Sequence, residues 1–179
     1  MTAPSKFSRF SRIFWRAMGA SAFVTIPITV FDKIGYPAVV GGSSMEPTLQ
    51  GNDARWWKRD FVWLNRVAIQ KRLAKGDVVV FVCPRDPKAY HVKRLVATEG
   101  DIVRPVIGPT SLVVPSGCCW MQSDNPSNHN DSNTYGPVAS GLIIGRATRI
   151  LWPPHRFGQL PPTPRDSLRP SFEEEYAEE

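Results

Sequence analysis

A series of short apolar stretches between residues 61 and 152 constrains the fold most. They are Phe61–Ile69 (FVWLNRVAI), Asp77–Val82 (DVVVFV), Tyr90–Gly100 (YHVKRLVATEG), Asp101–Ile107 (DIVRPVI), Ser111–Pro115 (SLVVP) and Gly141–Trp152 (GLIIGRATRILW). Val, Ile and aromatic residues dominate them, and Gly, Pro and Asp separate them, which is the habit of strands and turns. The expected fold is mainly β, with Ala68–Ala74 as the one helical candidate in this part. At 179 residues the chain has room for one core, because domains usually run to about 100–200 residues.

The two ends read differently. Residues 1–13 form a basic segment, and no acidic residue occurs from Met1 to Phe31, while Lys6, Arg9, Arg12 and Arg16 stand among Ser and Thr. That is the charge habit of a mitochondrial targeting segment. After Arg16 the run Ala17–Phe31 carries no charge, and Phe14 and Trp15 extend its apolar character. We expect a membrane-anchoring helix over 14–33, although the run is shorter than the roughly 20 residues a span prefers. Pro27 would kink it, so a signal-peptide core and a buried helix also fit. Basic residues ahead of the run would keep the amino terminus on the matrix or cytoplasmic side and deliver the 34–160 domain to the opposite face. Residues 161–179 are proline-rich and then acidic, the composition of a solvated flexible tail.

The formal charge of +6 raises nucleic acid as a partner, but the basic residues are dispersed. Trp56, Trp57, Trp63, Tyr90 and Trp120 are scattered as well, with none of the aromatic-glycine patterning of a base-stacking sheet. Nucleic acid is therefore not an expected partner. Cys83, Cys118 and Cys119 offer no CxxC spacing, so no metal site is expected and packing is their expected role.

Chemistry is suggested by two places. GGSSMEPTLQ, residues 41–50, sets two glycines and two hydroxyls ahead of a Glu-Pro-Thr turn. A polar turn accounts for it, and so does a nucleophile loop, if a base exists to activate a serine. Period-two alternation through Tyr90–Gly100 sends His91, Lys93 and Leu95 to one side of a strand and Val92, Arg94 and Val96 to the other. Lys93 beside an apolar neighbour either reaches out to water or is buried. Burial would disfavour its ammonium form and leave an amine able to take a proton from serine, giving a Ser-Lys dyad.

These residues carry a family resemblance. GGSSMEPTL (41–49) resembles the Ser-Met-x-Pro-Thr box of type I signal peptidases, and VKRLVATEGD (92–101) resembles their Lys-Arg box ending in Gly-Asp. SDNPSNHNDSNTYGPV (123–138) is similar to their third box, and the likeness, strongest to mitochondrial members, runs from about Phe14 to Leu160. The resemblance implies a signal-peptidase-like β catalytic domain on one amino-terminal anchoring helix. It implies a serine endopeptidase that removes sorting or signal peptides, with Ser44 as nucleophile, Lys93 as general base and no cofactor.

It also implies that Ser43 and Gly42 support the oxyanion loop. Bacterial relatives commonly add a hydroxyl donor two residues before the nucleophile, where this chain has Gly42. Asp131 and Ser132 match the third box, whose aspartate orders its loop, and Arg94 either pairs with such a carboxylate or lies on the surface. Two positions depart from the pattern. Ser123 replaces a glycine, with strain expected at Asp124, and His129 stands where a dyad-orienting serine is common, facing either the lysine or solvent.

Substrates implied are precursor proteins, extended at the cleavage site along a sheet edge, with small side chains near the cut. The implied location is the mitochondrial inner membrane, with the catalytic domain facing the intermembrane space and a paralogous protease subunit completing a heterodimer. A bacterial or plastid-type signal peptidase, and a non-catalytic subunit supporting an active paralogue, are the competing readings.

Overall fold

The computed structural model describes residues 33–67, 73–106, 110–128 and 130–161, with scattered positions from 14 to 31. Ten strands are formed: β1 (Gly35–Val39), β2 (Phe61–Asn65), β3 (Val78–Val82), β4 (Tyr90–Ala97), β5 (Ile102–Val103), β6 (Leu112–Val113), β7 (Cys118–Gln122), β8 (Val138–Ala139), β9 (Ile143–Trp152) and β10 (Gly158–Gln159). All paired strands run antiparallel. The main curled sheet has the order β1-β2-β9-β3-β4-β7-β8, with β10 also on β9, while β5 and β6 form a separate pair.

β9 is the longest strand because it serves two neighbours on one edge. Its first half pairs with β3 and its second half with β10, while β2 lies along the other edge. β3 shows why an unbroken apolar run belongs here. Val78 and Val80 enter one core cluster with Val62, Leu64, Ala147 and Ile150, while Val79 and Phe81 enter a second with Leu95, Met121 and Val138. A strand covered on both faces has no position for a polar residue.

Helix is scarce among the described residues of the domain. One short helix, α1 (Ser132–Tyr135), and three single-turn 3-10 segments occur, none foreseen in the sequence. Most of the expected Ala68–Ala74 helix lies outside the described residues. Every described position from 14 to 33 is helical, and its large apolar side chains, including Phe14, Trp15, Phe23, Ile26 and Ile28, are exposed. Among the described residues no helix is long and apolar enough to cross a membrane. Residues 1–13 and the tail beyond 161 lie outside the described residues. Cys83 and Cys119 are buried, Cys118 is half-buried, and all three are free thiols.

Candidate active site

The 41–51 loop leaves β1 and is pinned by its own apolar residues. Met45 and Leu49 are fully buried in the first core cluster, so Ser44 sits one residue from an anchor point. Met is suited to this task because its flexible thioether fills irregular gaps. The loop then closes on itself: the Gly42 N–H donates to the carbonyl of Gly51 at 3.1 Å. Gly42 needs glycine because its φ is +80°, a region other residues rarely adopt. Gly51 needs it for space, since a Cβ there would stand 2.5 Å from the Gly42 carbonyl oxygen.

Asp60, buried behind this loop, accepts from the Gln50 N–H at 2.8 Å and meets Arg156 at 3.3 Å. Burial pushes its carboxyl above the usual range, against the pull of these partners. Arg156 also donates to the Thr48 carbonyl at 2.8 Å, so the loop is tied to the far end of the chain.

Lys93 is buried, 3% exposed, on β4 directly opposite Val79. Its ammonium has lost water on nearly all sides, and this desolvation lowers its pKa to about 8, although Asp131 and Asp124 pull it upward. A cavity of about 650 Å³ is lined by Gly41 to Ser44 from the loop, by Tyr90 to Lys93 from β4, and by Asn128 and Asn130. Ser44, from the loop, and Lys93, from β4, thus come to one cavity although 49 residues apart in the chain. An amine that gives up its proton at about pH 8, in a cavity that a serine also lines, is equipped for general-base chemistry. His91, which sequence reasoning placed only on the Lys93 face, is a further wall residue, and burial followed by the Lys93 charge holds its imidazole below the usual range.

Arg94 turns the other way and is equally buried, at 3% exposed. Its Nε and Nη2 donate to the two oxygens of Asp124 at 2.8 and 2.6 Å, and its Nη1 donates to the Gly76 carbonyl at 2.7 Å. The surface alternative for Arg94 does not hold. The carboxylate it meets is the first of the third box, not Asp131, and its Nη2 also reaches Thr48 of the loop at 3.5 Å. Asp131 instead caps α1, accepting from the Asn133 N–H at 2.9 Å, and its second oxygen accepts from the Ser123 N–H at 2.8 Å. The Ser132 hydroxyl accepts from the Met121 N–H at 2.9 Å and so joins α1 to β7. No strained backbone accompanies Ser123, because no non-glycine among the described residues has positive φ. His129 lies outside the described residues.

A buried bidentate pair is costly to halve, because the survivor keeps its desolvation without its partner. Arg94→Met is expected to lower the unfolding free energy by about 3–5 kcal/mol, measured by urea denaturation of the detergent-solubilised chain. Arg94→Met with Asp124→Leu should recover most of the loss. A double variant as unstable as the single one would show that the pair is not what holds the third box to β4.

Residues 12–109 match the family model described as signal peptidase, peptidase S26. The chain belongs to this signal peptidase family. The zebrafish (Danio rerio) mitochondrial inner membrane protease subunit 2 is 34% identical over 90% of this chain and 89% of its own. The Mus musculus subunit 2 is 37% identical over 84% and 87%, and the Arabidopsis thaliana mitochondrial ATP-independent inner membrane protease subunit 1b is 34% identical over 92% and 99%. The signal peptidase match takes in Ser44 and Lys93 and stops before Asp124, Asp131 and Ser132. The family and the names of these relatives support a peptidase.

Proposed function

We propose that the chain is a membrane-anchored serine endopeptidase of the mitochondrial inner membrane, in which Ser44 is the nucleophile and Lys93 the general base. The burial of Lys93 in the wall of the cavity that Ser44 also lines is the observation that carries this reading. Ser44 Oγ attacks the scissile carbonyl as Lys93 Nζ takes its proton, and the Ser44 N–H receives the developing oxyanion. Lys93 then returns the proton to the leaving amine, and water, deprotonated in turn by Lys93, releases the acyl-enzyme. The substrates are sorting or signal peptides of proteins delivered to the intermembrane space, extended beside the exposed edge of β1.

The inner-membrane location is supported by the names of the relatives and by the basic amino terminus. The large apolar side chains described as exposed between 14 and 31 support an anchor, since so many apolar side chains left in water favour a cover. Relatives named as subunit 1 and subunit 2 both match at 33–37% identity, which supports a paralogous partner subunit.

A charged, serine-directed acylating probe that does not cross the inner membrane tests chemistry and orientation together. Labelling of Ser44 is expected in mitoplasts without further lysis. Labelling only after the inner membrane is lysed would reverse the orientation. No labelling in either state would favour a non-catalytic subunit.

A further inference from the structure

Asn125 follows Asp124 in the third box, and its polar groups are all engaged. Its Oδ1 accepts from the Ser127 N–H at 3.0 Å, and its carbonyl accepts from the Asn128 N–H at 3.0 Å. The bond from Ser127 fixes which end of the amide is oxygen, so the other end, Nδ2, is a donor. Nδ2 donates to the Ser43 carbonyl at 2.9 Å, and the Asn125 N–H donates to the Ser44 carbonyl at 3.0 Å. One residue thus holds the two successive carbonyls that bracket Ser44.

In a trans peptide the N–H points opposite to the carbonyl. The Ser43 carbonyl is fixed by Asn125 and also accepts from the Glu46 N–H at 3.1 Å. The Ser44 N–H therefore faces away from Asn125, and it takes part in none of the backbone hydrogen bonds formed among the described residues. We infer that Asn125 is a positioning residue: by locking the Ser43–Ser44 peptide plane it aims the Ser44 N–H at the oxyanion of the transition state. This rests on the proposed reading of Ser44 as nucleophile. A donor held in place before the reaction acts on charge that exists only at the transition state, so its loss lowers kcat and spares KM.

Asn125→Asp keeps the side-chain shape and the acceptor for Ser127, but sets an oxygen against the Ser43 carbonyl. With a fluorogenic peptide carrying alanines around the scissile bond, kcat is expected to fall about 100-fold, with KM within about twofold. Asn125→Ala, which removes the donor without opposing two oxygens, is expected to lose about tenfold in kcat. A peptide boronic acid supplies the second readout. Ser44 Oγ adds to boron, its proton passes to Lys93, and the tetrahedral adduct carries the oxyanion charge. Its affinity should fall in step with kcat, while an uncleavable peptide of the same sequence binds as before.

Unchanged kcat in both variants would overturn the inference. So would equal weakening of the boronate and the uncleavable peptide, or loss of the fold in both variants, since each would mean that Asn125 only braces the loop. Ser44→Ala run alongside separates the two readings. If that variant retains activity, the nucleophile assignment itself fails. If it is inactive while both Asn125 variants are fully active, only the role of Asn125 falls.

Discussion

Replacing Ser44 with alanine is expected to remove peptide cleavage and to leave the fold as it was. The loop does not depend on this hydroxyl: Met45 and Leu49 anchor it in the core, and its carbonyls are held by Asn125. Turnover should drop by about 10⁶-fold, the scale on which removing the nucleophile of a serine protease is felt. Ser43→Ala is expected to stay within about tenfold of wild type, because the described contacts of Ser43 use its carbonyl and not its hydroxyl. Purified variants, assayed on the same peptide with their thermal midpoints recorded, decide the matter. Equal activity of Ser44→Ala and wild type would remove Ser44 from the chemistry.

Lys93→Met is expected to be inactive and more stable than wild type at neutral pH. Methionine has a similar length, fills the same space and accepts no proton, so turnover should fall by about 10⁴-fold or more. The stability gain follows from linkage. The amine titrates near pH 8 in the fold but near 10.5 when exposed, so the unfolded chain holds more protons between these values. Wild-type stability therefore rises with pH across that window, by up to about 3 kcal/mol, and the cost of burying the ammonium is fully present below pH 8. Lys93→Met should lack both the slope and the cost. On the proposed role of Lys93, the same ionisation is expected to set the acid limb of the wild-type kcat/KM profile, with activity rising as pH passes about 8. Urea denaturation from pH 7 to 10 on both proteins, beside the wild-type rate profile, tests this. A variant that is destabilised, with the same pH slope as wild type, would show that Lys93 is not the buried titrating group.

β3 and β4 were legible in the sequence for a clear reason. Both are bounded by turn residues, and VVVFV is apolar at every position because both of its faces are covered. The other expected strands form too, but shorter: the Phe61–Ile69 stretch pairs only to Asn65, and Asp101–Ile107 only at Ile102–Val103. β1, β7, β8 and β10 were not foreseen. β1 contains Gly35 and Pro37, and β7 is built from Cys, Trp, Met and Gln, so neither has the Val and Ile signature. β8 and β10 are two-residue ladders that owe their existence to partners rather than to pattern.

The site divides along the same line. Alternation in β4 put Lys93 and Arg94 on opposite faces, but it says nothing of what covers each face. Arg94 is buried because Asp124 and Thr48 reach it from segments 30 and 46 residues away, and no local pattern reports such a meeting. Asn125 was present within the third box, yet its contact with Ser43 spans 82 residues, so only the folded chain reveals it.

Those separations bear on when the protein acquires activity as it folds. The loop around Ser44 is held by Asn125 from 82 residues away, and Arg156 grips Thr48 from 108 residues away. Contacts of such range close late, because the entropy of bringing distant segments together must be met before they stabilise anything. Until they close, on the proposed roles, Ser44 lacks its aimed N–H, and Lys93, still in water, titrates near 10.5 instead of about 8, so far less of it is free amine. On that reading a chain that is still folding is a far weaker protease than the finished fold. Activity, on the same reading, comes with those distant contacts.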